Sequence, residues 1–392
     1  MSGTASKPIY LDHAATTPVL PEVAKAMQPY FSGIFGNPAS AHSFGREARA
    51  AVENARREVA EFIGAHPDEI IFTSGGTEAN NLAVKGLAYG NRKWGNHIVT
   101  SAVEHHSILE AVRLLGRQGF KVTLLPVDRY GRVDPLDVAR SITPRTVLVS
   151  VMHANNEVGS VQPLADIAPI TRRYGICFHV DAVQTTGHFK LEAQAMEADL
   201  MSLSAHKIYG PKGVGALYVR RGVRLQPLMN GGRQDVQRRA GTQNVAAIVG
   251  FARAIRILIE ERQARRQHIT RLTDLLFRGI VERLDGLWLN GHPVERLPGN
   301  LHLGFEGVEG AALARNLDLH GIAVSTGSAC SSGQPEPSHV LTAMGLDRRR
   351  ASSCARFSLG RANTHEEIVR VLEVLPREVN RLRVSAAARN GA

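Results

Sequence analysis

Several side chains that could take part in chemistry come just after short apolar runs of this sequence. Lys207 follows one such run, Asp181 closes another, His105 follows a third, and a glycine turn at residues 74–77 follows a fourth. A lysine amine, a buried acid, a group over the ring and a phosphate cradle are what pyridoxal 5'-phosphate requires of a protein. The order of these residues therefore predicts a pyridoxal phosphate site.

Each of these signals has an ordinary structural explanation when it is taken alone. The turn at residues 74–77 could be a helix cap, and His105 could be a buried histidine with a satisfied hydrogen bond. Asp181 could pair with an arginine or a metal, although no spacing typical of zinc ligands lies nearby. The prediction depends on finding all of these groups at the ends of successive apolar runs.

The elements that must position these residues form a repeating pattern. Short apolar runs alternate with helical stretches, which predicts an α/β fold with a mostly parallel sheet covered on both faces. Ligands of such sheets bind beyond the carboxyl ends of the strands, where the residues named above lie. The predicted strands are residues 70–73, 97–100, 122–125, 147–151, 177–180 and 200–203.

A second, smaller region is predicted to follow the sheet domain. A long helix over residues 248–284 would lead to a C-terminal α+β domain with a strand entering at residues 297–303. Further helices are predicted at residues 310–319 and 366–375, and the small, polar residues 384–392 are expected to fray. We expect a large domain of residues 16–260 and a small domain of residues 1–15 plus 261–392, which carries a loop at about 325–338.

Composition excludes several classes of protein. The 392 residues are 43% hydrophobic and 21% charged, which is typical of a folded globular chain, and no apolar run approaches the roughly 18 residues of a membrane span. The three cysteines, which are too few for a disulfide framework, favour a reducing compartment. Because the first residues also lack a secretory pattern, we expect a cytoplasmic protein.

The charge balance leaves the kind of partner open. Lysine and arginine number 47 against 36 acidic residues, a net charge of +11. Direct nucleic-acid binding is not expected, because the basic residues are not interleaved with aromatic side chains that could stack on bases. An acidic protein or an anionic cofactor would be attracted by the same field.

Sequence blocks along nearly the whole chain resemble one enzyme family. The chain resembles the cysteine desulfurases of the NifS/IscS group, in the class V aminotransferase superfamily. This resemblance implies the pyridoxal phosphate-dependent transferase fold type I, L-cysteine as substrate and a homodimer. The blocks that carry it are residues 10–18, 35–40, 72–81, 153–159, 179–184, 204–219, 239–242, 325–332 and 356–360.

The resemblance also implies a role for individual residues. Lys207 would bind the cofactor covalently and move the Cα proton, Asp181 would hold the ring nitrogen protonated, and His105 would stack on the ring and assist proton transfer. Asn156 and Arg356 would bind the substrate carboxylate. The remaining cofactor contacts would come from Gly76, Thr77, Asn156, Gln184, Ser204 and His206, with Thr242 reaching the phosphate of the neighbouring subunit.

Cys330 is the residue that the resemblance makes decisive. It lies in a small, polar, glycine-bearing segment that is typical of a loop, and it would receive the substrate sulfur as a persulfide and release L-alanine. The polar stretch 326–338 resembles the long-loop group of these enzymes. Cys177 and Cys354 are predicted to be structural.

Other functions and one departure from the family pattern remain open at this point. A selenocysteine lyase or an aminotransferase is the first alternative, although a transaminase needs no thiol. A basic binding protein that has lost its activity is the second. The sulfur acceptor is not identified by the sequence and could be an iron–sulfur scaffold. Where the family has Gly-Gly-x-Gln-Glu-x-Gly, this chain has Arg233, Asp235 and Gln237.

Overall fold

The computed structural model describes residues 7–232, 234–326 and 337–390. The strands are β1 (Ile9–Tyr10), β2 (Ile70–Thr73), β3 (His97–Ser101), β4 (Lys121–Leu125), β5 (Thr146–Met152), β6 (Cys177–Asp181), β7 (Leu200–Ser204), β8 (Gly215–Val219), β9 (Leu287–Asn290), β10 (Asn300–Phe305), β11 (Ile322–Ala323) and β12 (Cys354–Ser358). The helices are α1 (Pro21–Met27), α2 (Pro29–Ser32), α3 (Ser43–Phe62), α4 (Gly76–Asn81), α5 (Leu87–Asn91), α6 (His106–Arg117), α7 (Pro135–Ser141), α8 (Leu164–Arg173), α9 (Val245–Val281), α10 (Gly310–Leu319), α11 (His339–Ala343), α12 (Arg348–Ser352) and α13 (His365–Asn390).

The large sheet confirms the predicted α/β fold with a mostly parallel sheet. Its strand order is β2-β8-β7-β6-β5-β3-β4. Strands β4, β3, β5, β6 and β7 pair in parallel, whereas β8 pairs antiparallel with both β7 and β2. Every predicted apolar run forms a strand, and β8 is the member that was not singled out from the sequence.

Helices cover both faces of this sheet because its strands are apolar on both sides. Successive side chains of a strand point to opposite faces, so Val99 of β3 belongs to one cluster of buried residues and the neighbouring Ile98 to another. The cluster that contains Val99 includes residues of α3 and α9, and the cluster that contains Ile98 includes residues of α4, α5 and α6. The parallel strands are thereby held with their carboxyl ends along one edge.

A separate cluster of buried residues surrounds the smaller sheet β12-β10-β9. It takes in α10, α13 and the C-terminal half of α9, together with Ile9 and Leu11 from the beginning of the chain. β1 pairs in parallel with β11, and Asp12 forms a bridge to Ser358 of β12. The first described residues of the chain are therefore fastened to its C-terminal region.

The C-terminal residues differ from the prediction. Fraying from residue 384 onward is wrong for the described part, because α13 continues to Asn390 and contains Pro376. A proline inside a helix removes one backbone hydrogen bond, and here Val379 and Leu382 pack against the small-sheet cluster beyond it. Packing after Pro376 therefore compensates for the lost bond.

Asp235 lies at the position where the family usually has glutamate, and it is buried. Its Oδ1 atom accepts a hydrogen bond from Nη2 of Arg56 at 2.9 Å, and Nη1 of Arg56 donates to the carbonyl oxygen of Ile70. Asp235 and Gln237 both have left-handed backbone conformations, with φ of 40° and 62°. Gln237 therefore has the backbone conformation that glycine adopts most easily. Arg56 connects this segment to β2, because it bonds both Asp235 and the carbonyl oxygen of Ile70.

Replacing Asp235 with asparagine is expected to lower the free energy of unfolding by about 3 kcal/mol, because the charge of Arg56 is left buried and weakly compensated. The side chains of this pair are 5% and 1% exposed. Asp137→Asn is a matched control, since it removes an aspartate that pairs with an arginine, Arg140, at the surface and should cost under about 1 kcal/mol. Denaturant unfolding of the holoprotein measures both, and equal losses would contradict the prediction.

Candidate active site

A cavity of about 940 Å³ lies at the carboxyl ends of the parallel strands. A wider groove of about 1320 Å³ between α9 and α13 is lined by none of the residues predicted to act. The 940 Å³ cavity brings together most of the predicted site residues, which are Gly76, Thr77, His105, Asn156, Asp181, Gln184, Ser204, His206, Lys207 and Arg356.

Lys207 is held at the cavity by a short turn that follows β7. The turn spans Ala205–Lys207, and the lysine Nζ donates to the carbonyl oxygens of Ala14 at 2.6 Å and Ala15 at 2.7 Å. Both acceptors belong to the segment that follows β1. The amine is therefore held in position by backbone atoms far away in the sequence.

Asp181 closes β6 and is 6% exposed. Its carboxylate accepts hydrogen bonds from Nδ2 of Asn80 at 2.7 Å and from the backbone N–H of Val183 at 3.0 Å, and both donors are neutral. A buried carboxylate held by neutral donors suits a cationic ligand group such as a protonated ring nitrogen. Sequence reasoning missed Asn80, although it follows Thr77 by three residues on the same helix.

His105 precedes α6 and caps its first turn. The ring Nδ1 accepts a hydrogen bond from the backbone N–H of Ser107 at 3.1 Å, so the neutral ring carries its proton on Nε2. Burial lowers the pKa of His105, and the charge of Asp181 opposes that shift. Nδ2 of Asn80 also donates to Oγ of Ser107 at 2.9 Å, which links His105 to Asp181 through neutral groups.

The glycine turn before α4 and the residues opposite it form a cradle with unsatisfied polar atoms. Oγ of Ser204 is buried and has no hydrogen-bond partner among the described residues. A Cβ atom on Gly76 would lie 2.8 Å from Cγ2 of Val183, so the turn packs against Val183 more closely than a residue with a side chain could. Burial lowers the pKa of His206 to about 4, which leaves that ring neutral at pH 7.

These features fit pyridoxal phosphate. Backbone N–H groups at the glycine turn and the Ser204 hydroxyl, which has no partner among the described residues, suit its phosphate, and Asp181 suits its ring nitrogen. Lys207 lines the same cavity as these groups.

Arg356 lies in the middle of β12 with a side chain that is 2% exposed. Its Nη2 donates to Oδ1 of Asp12 at 2.7 Å, and its Nη1 donates to the carbonyl oxygen of Asn156 at 2.8 Å. Asp12 had not been singled out as a site residue. The only sequence signal for it is its presence in the block of residues 10–18.

Cys330 lies outside the described residues, and so does most of the loop that was expected to carry it. The described residues on each side contact the site. The backbone of Ser325 exchanges hydrogen bonds with that of Arg356 at 3.1 and 2.6 Å, and Oγ of Ser338 donates to Oε2 of Glu157 at 2.5 Å. Both ends of the segment are therefore attached to strands and turns that line the cavity.

The other two cysteines and Thr242 do not line the cavity. Burial raises the pKa of Cys177 and of Cys354 to about 12, so both thiols are protonated at neutral pH. Cys354 is buried, whereas Cys177 is half-buried beside the sheet. Thr242 is exposed and does not line the cavity of its own chain.

No helix in the described part of the chain is long and apolar enough to cross a membrane.

Comparisons with known proteins agree on one group of relatives. The family model described as "Aminotransferase class-V" matches residues 9–371. The chain is 49% identical over 375 residues to a cysteine desulfurase IscS of Dictyoglomus turgidum, covering 96% of this chain and 95% of that relative. It is 46% identical to a cysteine desulfurase IscS of Methanosarcina thermophila, covering 97% of this chain and 94% of the relative.

Solved structures show the same similarity. One described as a NifS-like protein has a TM-score of 0.90 at 39% identity, over 95% of this chain and 99% of that one. Another, described as SspA in complex with cysteine, has a TM-score of 0.81 at 36% identity and covers 91% of this chain and all of that one (100%).

Proposed function

Because the chain belongs to the class-V aminotransferase family and is a cysteine desulfurase that uses pyridoxal phosphate, we propose that the residues of its cavity convert L-cysteine to L-alanine and pass the sulfur to Cys330. The observation that carries these residue roles is that Lys207, Asp181 and Arg356 line one cavity. Pyridoxal phosphate bound there supplies an electron sink for charge that develops at the Cα of an amino acid.

The residues that would hold the cofactor all line the cavity. Asp181 would bind the ring nitrogen and keep it protonated, with Asn80 fixing the orientation of the carboxylate. Gln184 would bind the ring oxygen, although its Nε2 donates to the carbonyl oxygen of Ala14 at 3.1 Å in the described arrangement. The phosphate would be held by Gly76, Thr77, Ser204 and His206.

Lys207 and His105 would take part in proton transfer. Lys207 would remove the proton from Cα of the substrate and return a proton to the product, which requires its amine to leave the carbonyl oxygens of Ala14 and Ala15. His105 would hold a proton on Nε2 within the cavity, because its Nδ1 is occupied by the Ser107 N–H.

Cys330 would receive the sulfur. Its thiolate would form a sulfur–sulfur bond with the substrate while the Cβ–sulfur bond of the substrate breaks, which leaves a persulfide on Cys330 and, after protonation of Cβ, L-alanine. The attachment of both ends of the loop, at Ser325 and Ser338, to the walls of the cavity supports this role.

Arg356 and Asn156 would bind the substrate carboxylate, and Arg356→Gln tests this directly. The replacement removes the cation that matches a carboxylate in two parallel hydrogen bonds, so the KM for L-cysteine should rise at least about tenfold. Alanine formation by the holoenzyme is the measurement. Arg370→Gln removes a half-exposed surface arginine from α13 and should leave KM unchanged. An unchanged KM in Arg356→Gln would contradict the assignment.

The sulfur acceptor is proposed to be an acidic protein, with an iron–sulfur scaffold as one candidate, because the net charge of +11 favours such a partner. Transfer from the persulfide should slow as ionic strength rises from about 10 to about 150 mM, since the Debye length falls from about 30 to about 8 Å. Sulfur release to dithiothreitol, which is uncharged, is the control. Transfer rates that do not depend on salt would argue against electrostatic recognition.

A homodimer, a division into domains and a cytoplasmic location complete the proposal. Thr242 is exposed and does not line its own cavity, and Phe35 and Phe44 form an exposed aromatic pair, which supports pairing with a second copy. Sedimentation of the holoprotein as a monomer would contradict the dimer.

Separate clusters of buried residues support a large domain of residues 16–260 and a small domain of the remainder.

A further inference from the structure

The segment that follows β1 contacts several residues of the site at once. Oδ1 of Asp12 pairs with Nη2 of Arg356, and the carbonyl oxygens of Ala14 and Ala15 accept hydrogen bonds from Lys207. Asp12 and Arg356 are 344 positions apart in the chain. The segment therefore connects the residue proposed to bind the substrate carboxylate with the residue proposed to move the proton.

Arg356 keeps donors available while it is paired with Asp12. A guanidinium has five N–H donors, and within the described residues one on Nη2 goes to Asp12 and one on Nη1 goes to the Asn156 carbonyl oxygen. Its Nε is buried and has no partner in the described part of the chain. Three of the five donors remain, so the number of donors does not require a substrate carboxylate to displace Asp12.

Asp12 is the carboxylate that pairs with Arg356 among the described residues. The Asp12 side chain is 19% exposed, against 2% for Arg356. His302, which faces Arg356 in the register of β10 and β12, stays neutral at pH 7 because burial lowers its pKa to about 3. A substrate carboxylate therefore meets a cation whose charge is already balanced by one carboxylate.

We propose that Asp12 is a positioning residue for substrate binding, which orients the Arg356 guanidinium through a hydrogen bond and weakens the hold of Arg356 on α-carboxylates through its charge. The inference rests on the proposed role of Arg356. A buried arginine without a counter-ion would destabilise the empty site. Such an unpaired arginine would also bind the carboxylates of both the substrate and the product more strongly. Equal tightening of both lowers KM without raising kcat and slows the release of alanine.

Asparagine and alanine at position 12 separate the charge from the hydrogen bond. Asp12→Asn keeps an oxygen that can accept from Nη2 of Arg356 but removes the negative charge, whereas Asp12→Ala removes both. Propionate is a suitable probe, because it has the carboxylate of alanine and no amine that could react with the cofactor. Its dissociation constant is measured on the holoenzyme by calorimetry or by inhibition of alanine formation.

Asp12→Asn should bind propionate about tenfold more tightly than the wild type, and its KM for L-cysteine should fall as well. Asp12→Ala should bind propionate more weakly than Asp12→Asn, because nothing then holds Nη2. The thermal midpoint of Asp12→Asn should be lower than that of the wild type without ligand, and saturating propionate should narrow the gap. Propionate binding that is unchanged or weaker in Asp12→Asn would overturn the inference.

Arg356→Gln distinguishes this inference from the proposed function. If Arg356→Gln binds propionate as well as the wild type does, the role of Arg356 is wrong, and the inference fails with it. If Arg356→Gln loses propionate binding while Asp12→Asn shows no gain, Arg356 keeps its role and the inference about Asp12 alone is wrong. Asp137→Asn, which removes a carboxylate from α7, should bind propionate as the wild type does.

Discussion

Lys207→Ala is expected to reduce the formation of L-alanine from L-cysteine at least about a thousandfold. Under the proposed function, Lys207 would both bind the cofactor covalently and move the Cα proton, and the loss of either contribution would be large. The amine is held at the cavity by hydrogen bonds of 2.6 and 2.7 Å to Ala14 and Ala15, and no solvent amine would have that geometry. The measurement is single-turnover alanine formation by protein loaded with pyridoxal phosphate.

Lys212→Ala is the matched control, because Lys212 lines the same cavity but is exposed. It should retain most of the activity. Borohydride treatment followed by peptide mass analysis gives a readout that is independent of turnover, since the mass of the cofactor should remain on the peptide that contains Lys207. Alanine formation at the wild-type rate in Lys207→Ala would show that another amine carries the chemistry.

Cys330→Ala is expected to lower sulfide and alanine release in the presence of a reductant at least about a hundredfold, while the bound pyridoxal phosphate and its visible absorbance remain. The thiolate of cysteine is a strong nucleophile, and alanine offers no atom that can take the sulfur. The persulfide on the wild-type protein is detected as a mass increase of one sulfur atom after a single turnover. That increase should be missing in Cys330→Ala.

The remaining cysteines serve as controls for this variant. Burial raises the pKa of Cys177 and of Cys354 to about 12, so neither thiol is ionised enough at neutral pH to act as a nucleophile. Cys177→Ala should keep full activity. Cys354→Ala should still form the persulfide on Cys330, even if the variant is less stable than the wild type. If Cys330→Ala is as active as the wild type, the sulfur leaves without a protein thiol, and the role of Cys330 is wrong.

Much of the large sheet could be predicted because its strands are locally encoded. Runs of β-branched and apolar residues form a buried strand wherever helices cover both faces, so the predicted runs agree with the observed strands to within about a residue or two. β8, which was not predicted, pairs antiparallel with β7 and β2, although its residues Ala216–Val219 also form an apolar run. The end of α13 was misjudged because Val379, which follows Pro376, packs against the small-sheet cluster. The sequence pattern does not report this tertiary contact.

The sequence by itself determined the kinds of chemical group that the site holds. Lys207 follows one apolar run after a short turn and Asp181 closes another. Because the carboxyl ends of parallel strands meet at one edge, the types and order of these residues already predict a pyridoxal phosphate site. That inference needs only the local pattern and the general geometry of such sheets.

The tertiary structure alone decided which groups hold these residues in place. Asn80 reaches Asp181 across 101 positions, Ala14 reaches Lys207 across 193, and Asp12 reaches Arg356 across 344. Hydrophobic periodicity reports only which face of an element is buried, and it carries no information about which distant polar group will satisfy a buried donor. These partnerships arise when segments that are far apart in the sequence pack together, since a buried charge or polar group must then find a partner nearby.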